Sequence, residues 1–232
     1  TTSTEADDFV QARLDAGASY LKIIVEPWKN TLSHDVVKSL IEAAHDKNIP
    51  AVVHISNADD AYKVLNNKAD GLVHIWWDKK LANTYMTKLT KTTKFFIIPT
   101  LVTAQSMLPM IRSSEPDRAI LSNEEIGAEV LRFYNAGIPI LAGTDPPNAN
   151  INYGTDLYKE LQLLSEAGIP NLGVLKSATS LPAKHFNLKN KGFIKKGFNA
   201  DMILLNANPI LDIQNISNIE TIWKNGKKLR RD

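Results

Sequence analysis

Four polar side chains of the sequence stand where residues from separate segments can act together: Lys22, His54, His74 and Asp145. Both histidines end short β-rich segments, and Asp145 directly follows another such segment. Lys22 differs, because it lies inside a β-rich segment with apolar neighbours on both sides. Two imidazoles and a carboxylate are the ligands of a hydrolytic metal site with an open coordination position, where bound water is acidified towards neutral pH. These residue types therefore indicate metal-assisted hydrolysis.

Each of these residues also has an ordinary structural interpretation. A single histidine at a strand end is more often a hydrogen-bonded packing residue than a ligand. Asp145 precedes two prolines, as turn residues do, and Lys22 can extend from an edge strand with its ammonium in water. The joint arrangement favours a site, because the carboxyl ends of parallel strands meet at one edge of a sheet. We therefore predict that His54, His74 and Asp145 converge on a common ion.

The three remaining histidines are predicted to be structural. His34 lies at the start of a helical segment and His45 lies within one, whereas His185 lies near a helix end, where a partly positive imidazole suits the helix dipole. The basic residues of 224–231 are typical of a solvated hairpin end. No nucleic-acid partner is expected there, because Trp223 is the only aromatic residue beside them.

The segments that position these residues alternate between two patterns over most of the chain. Short β-rich runs cover 20–25, 51–54, 71–74, 95–98 and 138–142. Between them, apolar residues recur at three- and four-residue steps, which is typical of helices with one buried face. Two such stripes are Val36, Val37, Leu40, Ile41, Ala44 and Leu157, Leu161, Leu164, Ala167. The alternation predicts an α/β fold with a parallel sheet. Five strands alone favour an open doubly wound sheet, and they are also what a (β/α)8 barrel lacking its first three units would show.

The pattern changes near residue 187. From there, turns rich in glycine and lysine separate short β-like runs at 201–205, 219–223 and 227–229. The pair Asn225-Gly226 between the last two runs is a strong hairpin signal. We therefore expect two parts, an α/β part over 1–188 and a small antiparallel β-unit over 189–232.

The composition excludes several classes of protein. Of 232 residues, 44% are apolar and 22% are charged, which is ordinary for a globular chain and excludes a collagen-like, coiled-coil or disordered one. The longest apolar runs are far shorter than the ~20 residues of a membrane-spanning helix. The absence of cysteine excludes disulfides, thiolate ligands and cysteine nucleophiles, and it does not choose between cytoplasm and periplasm. A net charge of +2 gives no sign of nucleic acid or an acidic membrane as partner.

Several short stretches occur in an order and spacing that match a known family. They are 18–23, 53–54, 71–74, 98–101, 143–145, 160–161, 166–168, 176–179 and 200–205. On these stretches the sequence resembles the amidohydrolase superfamily, in particular its imidazolonepropionase-like and Xaa-Pro-dipeptidase-like branch. The resemblance extends from about residue 10 to the C-terminus, and the ordered set carries it rather than any one stretch.

The resemblance implies a (β/α)8 barrel that holds one or two divalent metal ions, usually zinc. It implies that CO2 carboxylates Lys22 to a carbamate bridging two ions, and that His54 and His74 are metal ligands. It implies that Asp145 binds metal and shuttles the proton of the attacking hydroxide. Carboxylation also accounts for a lysine among apolar neighbours, because it replaces a costly buried ammonium with a metal-neutralised anion. The C-terminal part resembles the C-terminal strands of the family's small β-sandwich.

The sequence departs from the family's pattern in one respect. The His-x-His pair of the first barrel strand is absent, since no two of the five histidines are separated by one residue. The lysine strand begins near residue 20, where a complete member has already formed three βα units. The chain, which begins without methionine, is therefore expected to be a processed product or the C-terminal portion of a longer protein. Its expected partner is the missing N-terminal polypeptide or a second copy.

Three functions follow from these patterns. The first is a metal-dependent hydrolase of amide, cyclic amide or dipeptide C–N bonds, which acts on a small-molecule substrate through metal-activated water. The second is an inactive fragment or an interaction module. The third, ranked lowest, is an aldolase-like barrel in which Lys22 forms a Schiff base. This third function leaves both strand-end histidines unexplained.

Overall fold

The computed structural model describes residues 2–26 and 31–230. Its first part repeats a strand followed by a helix. The strands β1 (Leu21–Ile24), β2 (Ala51–His54), β3 (Gly71–Val73) and β4 (Phe96–Ile98) form one parallel sheet in that order. The helices are α1 (Ala6–Asp15), α2 (His34–Asp46), α3 (Ala58–Asn66), α4 (Asn83–Thr92), α5 (Leu101–Ser114), α6 (Asn123–Asn135), α7 (Asp156–Glu166), α8 (Asn171–Ser177) and α9 (Ser180–His185). Short 3-10 helices lie at Ser3–Glu5, Asn148–Asn150 and Ile213–Ser217. The parallel α/β fold expected from the alternation, matching part of a barrel, is confirmed.

The fifth predicted strand, 138–142, is reduced to a single parallel bridge to Ile97. The N–H of Ile97 donates to the carbonyl of Pro139 at 3.0 Å, so the segment extends the sheet beyond β4. Regular pairing stops because Pro139 has no N–H and the Ala142 N–H donates to the carbonyl of Ser177 at 3.0 Å instead. The segment therefore takes the fifth position of the sheet without forming a strand.

The helices bury the apolar stripes that the sequence predicts. In α2, Ser33 caps the N-terminus by accepting a hydrogen bond from the N–H of Val36 at 3.4 Å. The buried members of its stripe are Val37, Leu40, Ile41 and Ala44. Helix α6 begins with a capping box between Ser122 and Glu125. Within the described part of the chain, no helix combines the length and apolar character needed to cross a membrane.

The opposite face of the sheet has its own small apolar cluster, formed by Val52, Val73, Phe96 and Leu141. Gly71 pairs with Phe96 across β3 and β4, and a Cβ on Gly71 would lie 2.3 Å from the Phe96 ring. Only glycine fits this close approach.

The C-terminal residues form the expected antiparallel unit. The strands β5 (Met202–Leu205), β6 (Ile219–Lys224) and β7 (Lys227–Lys228) pair in that order. The predicted hairpin turn lies at Asn225 and Gly226, whose φ angles are 49° and 75°, as a two-residue hairpin turn requires. The division of the chain into domains at 188/189 stays a prediction.

Candidate functional site

The four residues singled out in the sequence lie together at the carboxyl end of the parallel sheet. The ring centroids of His54 and His74 are 4.4 Å apart in an edge-to-face arrangement. The Oδ2 of Asp145 is 3.5 Å from the Nε2 of His74, and its Oδ1 is 3.5 Å from the Nζ of Lys22. Strand register explains the position of Lys22, because His54 pairs with Ile24, two residues further along β1 on the same face.

One nitrogen of His74 is fixed by its neighbours. The hydroxyl of Thr100 donates to the carbonyl of Pro99 at 2.8 Å, so toward His74 it acts as acceptor for the Nδ1–H at 2.6 Å. The neutral ring then carries its lone pair on Nε2. This atom is buried and has no hydrogen-bond partner, and it faces the carboxylate of Asp145.

The protonation state of His74 follows from its surroundings. Burial lowers the pKa of His74 to about 4, and the neighbouring His54 ring acts in the same direction, while Asp145 opposes both. The ring is therefore neutral at neutral pH, and its contact with Asp145 is not an ion pair. A neutral imidazole with one nitrogen held and the other carrying a lone pair is the form in which histidine binds a metal.

His54 is held by a carboxylate that the sequence analysis did not single out. The side chain of Glu26 is buried, its Oε1 lies 2.7 Å from the Nε2 of His54, and its Oε2 accepts from the Ser56 hydroxyl at 2.6 Å. The signal for Glu26 was present, because it is a polar residue directly after the β-rich run 20–25. Its partner lies 28 residues along the chain, and only the folded sheet brings the two together.

Three non-glycine residues of the site have left-handed backbone. The φ angles are 72° for His74, 49° for Thr100 and 55° for Asp145. Such conformations cost about 1–3 kcal/mol each and cluster at functional sites. A β-branched threonine adopts them especially rarely. Three of the site's residues thus hold strained backbone at the edge of the sheet where the polar side chains meet.

Lys22 is exposed, which agrees with the edge-strand interpretation of this residue rather than with a buried ammonium. Its side chain is 38% exposed, because β1 is the edge strand and its residues alternate between buried and exposed. In the structure its ammonium pairs with Asp145. A carbamate at this position would place a second negative charge beside that carboxylate, and it would need a cation between them.

The described residues contain no group of three or more His, Cys, Asp or Glu side chains arranged to hold a metal ion. The Nε2 of His54 is engaged by Glu26, and Asp145 is engaged by Lys22. The unpartnered Nε2 of His74 nevertheless fits a cation, because a buried acceptor without a partner costs about 1–3 kcal/mol that a metal bond would remove. The ligand roles of Lys22, His54, His74 and Asp145 stay predictions.

The other histidines lie away from these four residues. His34 and His45 pair with aspartates of neighbouring elements at 3.0 and 2.8 Å. The His185 ring packs against Phe96, with centroids 5.0 Å apart. A cavity of about 850 Å³ lies at the amino end of the sheet and is lined in part by His45 and His185. It does not coincide with the site at the carboxyl end.

Comparison with known proteins adds a family match over almost the whole chain. A sequence model of the amidohydrolase family matches residues 3–229. No curated protein sequence matches the chain.

Several solved structures share the fold. A Xaa-Pro dipeptidase with methionine bound in its active site has a TM-score of 0.80 at 22% identity, covering 100% of this chain and 59% of its own. For the A. niger ochratoxinase the TM-score is 0.77 at 20% identity, with 98% and 54% covered. For molinate hydrolase the TM-score is 0.75 at 19% identity, with 99% and 55% covered. The chain thus spans little more than half the length of these similar structures.

Proposed function

Because the chain belongs to the amidohydrolase family, we propose that the complete protein is a metal-dependent hydrolase of amide, cyclic amide or dipeptide C–N bonds in small-molecule substrates. One observation carries the proposal: the neutral His74 holds its buried, unpartnered Nε2 towards Asp145. Because Thr100 accepts from Nδ1–H, the tautomer is the one that binds a metal through Nε2.

We propose that one or two divalent cations, zinc first among them, are held by Lys22, His54, His74 and Asp145. Histidine nitrogen and carboxylate oxygen are ordinary zinc ligands. A bound cation supplies Lewis acidity, which polarises the scissile carbonyl and lowers the pKa of water. Lys22 joins the ligands as a carbamate: its neutral amine forms an N–C bond to CO2 and releases one proton.

Asp145 is proposed to move the proton of the reaction. Its carboxylate is 23% exposed, and its Oδ2 accepts a hydrogen bond from the Asn148 amide at 2.9 Å, which fixes its orientation. As a carboxylate it accepts the proton of the attacking water. Once protonated, it donates that proton to the leaving nitrogen, which departs as a neutral amine.

A second candidate, an inactive fragment or interaction module, applies to the chain by itself. The observation that favours it is coverage, because the chain spans 59% of the Xaa-Pro dipeptidase chain. The absence of a His-x-His pair agrees with this observation. Assaying the chain alone beside the product of the complete coding sequence separates the two candidates, since only the complete product should hydrolyse substrate.

The test compares Lys22→Ala with His45→Ala in protein purified from the complete coding sequence. Metal content is measured by mass spectrometry, and hydrolysis is measured on a panel of Xaa-Pro dipeptides and simple amides. Wild-type protein should carry roughly one to two zinc ions per chain. Lys22→Ala should lower metal affinity and turnover together by at least ~10-fold, and formate or acetate should restore part of both. His45→Ala, whose partner Asp70 lies at the other end of the sheet, should change neither.

Two results would overturn this proposal. One is wild-type protein that hydrolyses the panel fully after its metal has been removed. The other is a Lys22→Ala protein that keeps full metal content and full turnover. An adduct trapped on Lys22 by borohydride and a carbonyl substrate would favour the Schiff-base mechanism instead.

A further inference from the structure

The N-terminus of helix α5 lacks the usual side-chain cap. Thr100 occupies the N-cap position, and its side chain makes no capping hydrogen bond to the first turn. Its hydroxyl is used elsewhere, since it donates to Pro99 and accepts from the Nδ1–H of His74. A helix start leaves its first N–H groups without partners inside the helix, and here the expected partner is turned towards the site.

A carboxyl group from a distant helix takes over the cap. Glu160 lies on α7, its side chain is fully buried, and its Oε2 accepts from the N–H of Val102 at 2.9 Å, across 58 residues of sequence. Its Oε1 has no hydrogen-bond partner. Burying a carboxyl group is costly, and Glu160 has no direct part in the proposed reaction. Its position is therefore explained by the helix end that it meets.

The same first turn of α5 also holds the segment that carries Asp145. The hydroxyl of Thr103 donates to the carbonyl of Thr144 at 2.8 Å. Two of the proposed ligands are thus attached to the N-terminus of α5. His74 is bonded directly to Thr100, and Asp145 is attached through Thr144, the residue before it.

We propose that Glu160 is a positioning residue for this site: by capping α5 in place of Thr100, it leaves the Thr100 hydroxyl to fix the tautomer and orientation of His74. The inference rests on the proposed metal site. This positioning role differs from a purely structural one, because loss of Glu160 should change the tautomer and orientation of His74, which Glu160 does not contact.

The experiment uses Glu160→Ala, Glu160→Asp and Glu160→Gln, with Glu129→Ala as the matched control. Glu129 on α6 is also buried and also accepts from a backbone N–H, that of Leu81 at 2.9 Å, and its other partners, Trp76 and Arg132, likewise lie outside α5. The imidazole nitrogens of His74 are observed by ¹⁵N NMR in metal-free protein from the complete coding sequence. Zinc affinity is measured on the same samples by competition with a chelator.

In wild-type protein, His74 should show a protonated Nδ1 and an unprotonated Nε2. Glu160→Ala should average these two signals and weaken zinc binding by about 10-fold or more. Glu160→Asp, which withdraws the carboxyl group by one methylene, should have the same effect in weaker form and serves if the alanine variant does not fold. Glu160→Gln, whose amide oxygen still accepts from Val102, should stay within about 2-fold of wild type. Glu129→Ala should lower stability and leave the His74 signals unchanged.

The outcomes separate this inference from the function on which it rests. If wild-type protein shows the expected tautomer but binds no zinc, the metal site is wrong, while the effect of Glu160 on His74 is still measured. If wild-type protein binds zinc and the alanine and aspartate variants lose stability but keep both His74 signals and zinc affinity, Glu160 is only a helix cap and the inference is overturned.

Discussion

Each histidine of the site has one ring nitrogen in contact with a neighbouring side chain. Thr100 holds Nδ1 of His74, and Glu26 lies at Nε2 of His54. A carboxylate accepts from an N–H, so the Nε2–H of His54 donates to Glu26. A carboxylate behind a histidine also raises its basicity as a metal ligand. Glu26 is therefore expected to act on the metal through His54.

Replacing Glu26 by glutamine should weaken zinc binding by about 10- to 100-fold, because the neutral amide accepts less strongly and can turn its NH₂ group towards the ring. Asp70→Asn is the matched control, since Asp70 pairs with His45 in the same way, at 2.8 Å, at the other end of the sheet. The control should leave zinc affinity unchanged. Equal affinity in Glu26→Gln and wild-type protein would show that the Glu26 contact has no influence on the site.

The sequence could predict the residues that stand at strand ends, because strands are visible in local runs and their carboxyl ends share one edge. It could not predict the residues that hold them. Glu26 contacts His54 across 28 residues of sequence, and Thr100 contacts His74 across 26 residues, so both roles depend on the folded sheet. For Lys22 the sequence left burial and an exposed edge position open, and the edge position of β1 in the folded sheet decides for exposure.

Secondary-structure elements were predicted well where periodicity alone decides, as in α2 and α7. The run 138–142 does not form a regular strand, because Pro139 has no N–H and the N–H of Ala142 donates to the carbonyl of Ser177 instead of to a strand. The contact with Ser177 cannot be predicted from the local sequence pattern. The link between α7 and α5 through Glu160 was also invisible in the sequence. It has a measurable consequence, since burial raises the pKa of Glu160 to about 8, against the opposing effect of the N–H groups of Val102 and Leu101.

This raised pKa makes the stability of the fold depend on pH. The unfolded chain releases the Glu160 proton near pH 4.5, whereas the folded chain keeps it until about pH 8. The stabilisation of the fold that comes from the protonated Glu160 is therefore complete below pH 4.5. It decreases between pH 4.5 and about pH 8, by at most ~1.4 kcal/mol per pH unit, and stops decreasing once the folded Glu160 has lost its proton. Glu160→Gln has no such proton. Urea unfolding measures the free energy of unfolding of wild type and of Glu160→Gln. We expect the wild-type value minus the Glu160→Gln value to fall between pH 4.5 and about pH 8 and to stay constant above that. A difference that is constant from pH 4.5 to pH 8 would contradict it.

The described part of the chain leaves surface that a closed barrel and a complete sandwich would cover. In the parallel sheet, β1 pairs only with β2 among the described residues. Ile24, on the face that carries the site, is 48% exposed. In the C-terminal part, Ile194 is 91% and Leu211 is 82% exposed. Open strand edges and apolar surface both favour association with another chain.

The chain expressed by itself should therefore self-associate or be poorly soluble, and co-expression with the N-terminal polypeptide expected as its partner should suppress this. Sedimentation velocity over a range of concentrations measures the effect, because association by an open edge gives larger species as concentration rises. Replacing Ile24 by lysine should reduce association by placing a charge beside the open edge. A matched change at Ile203, which is 55% exposed on β5, tests whether the C-terminal sheet contributes. A concentration-independent monomer that unfolds cooperatively would show that the chain needs no partner to cover these surfaces.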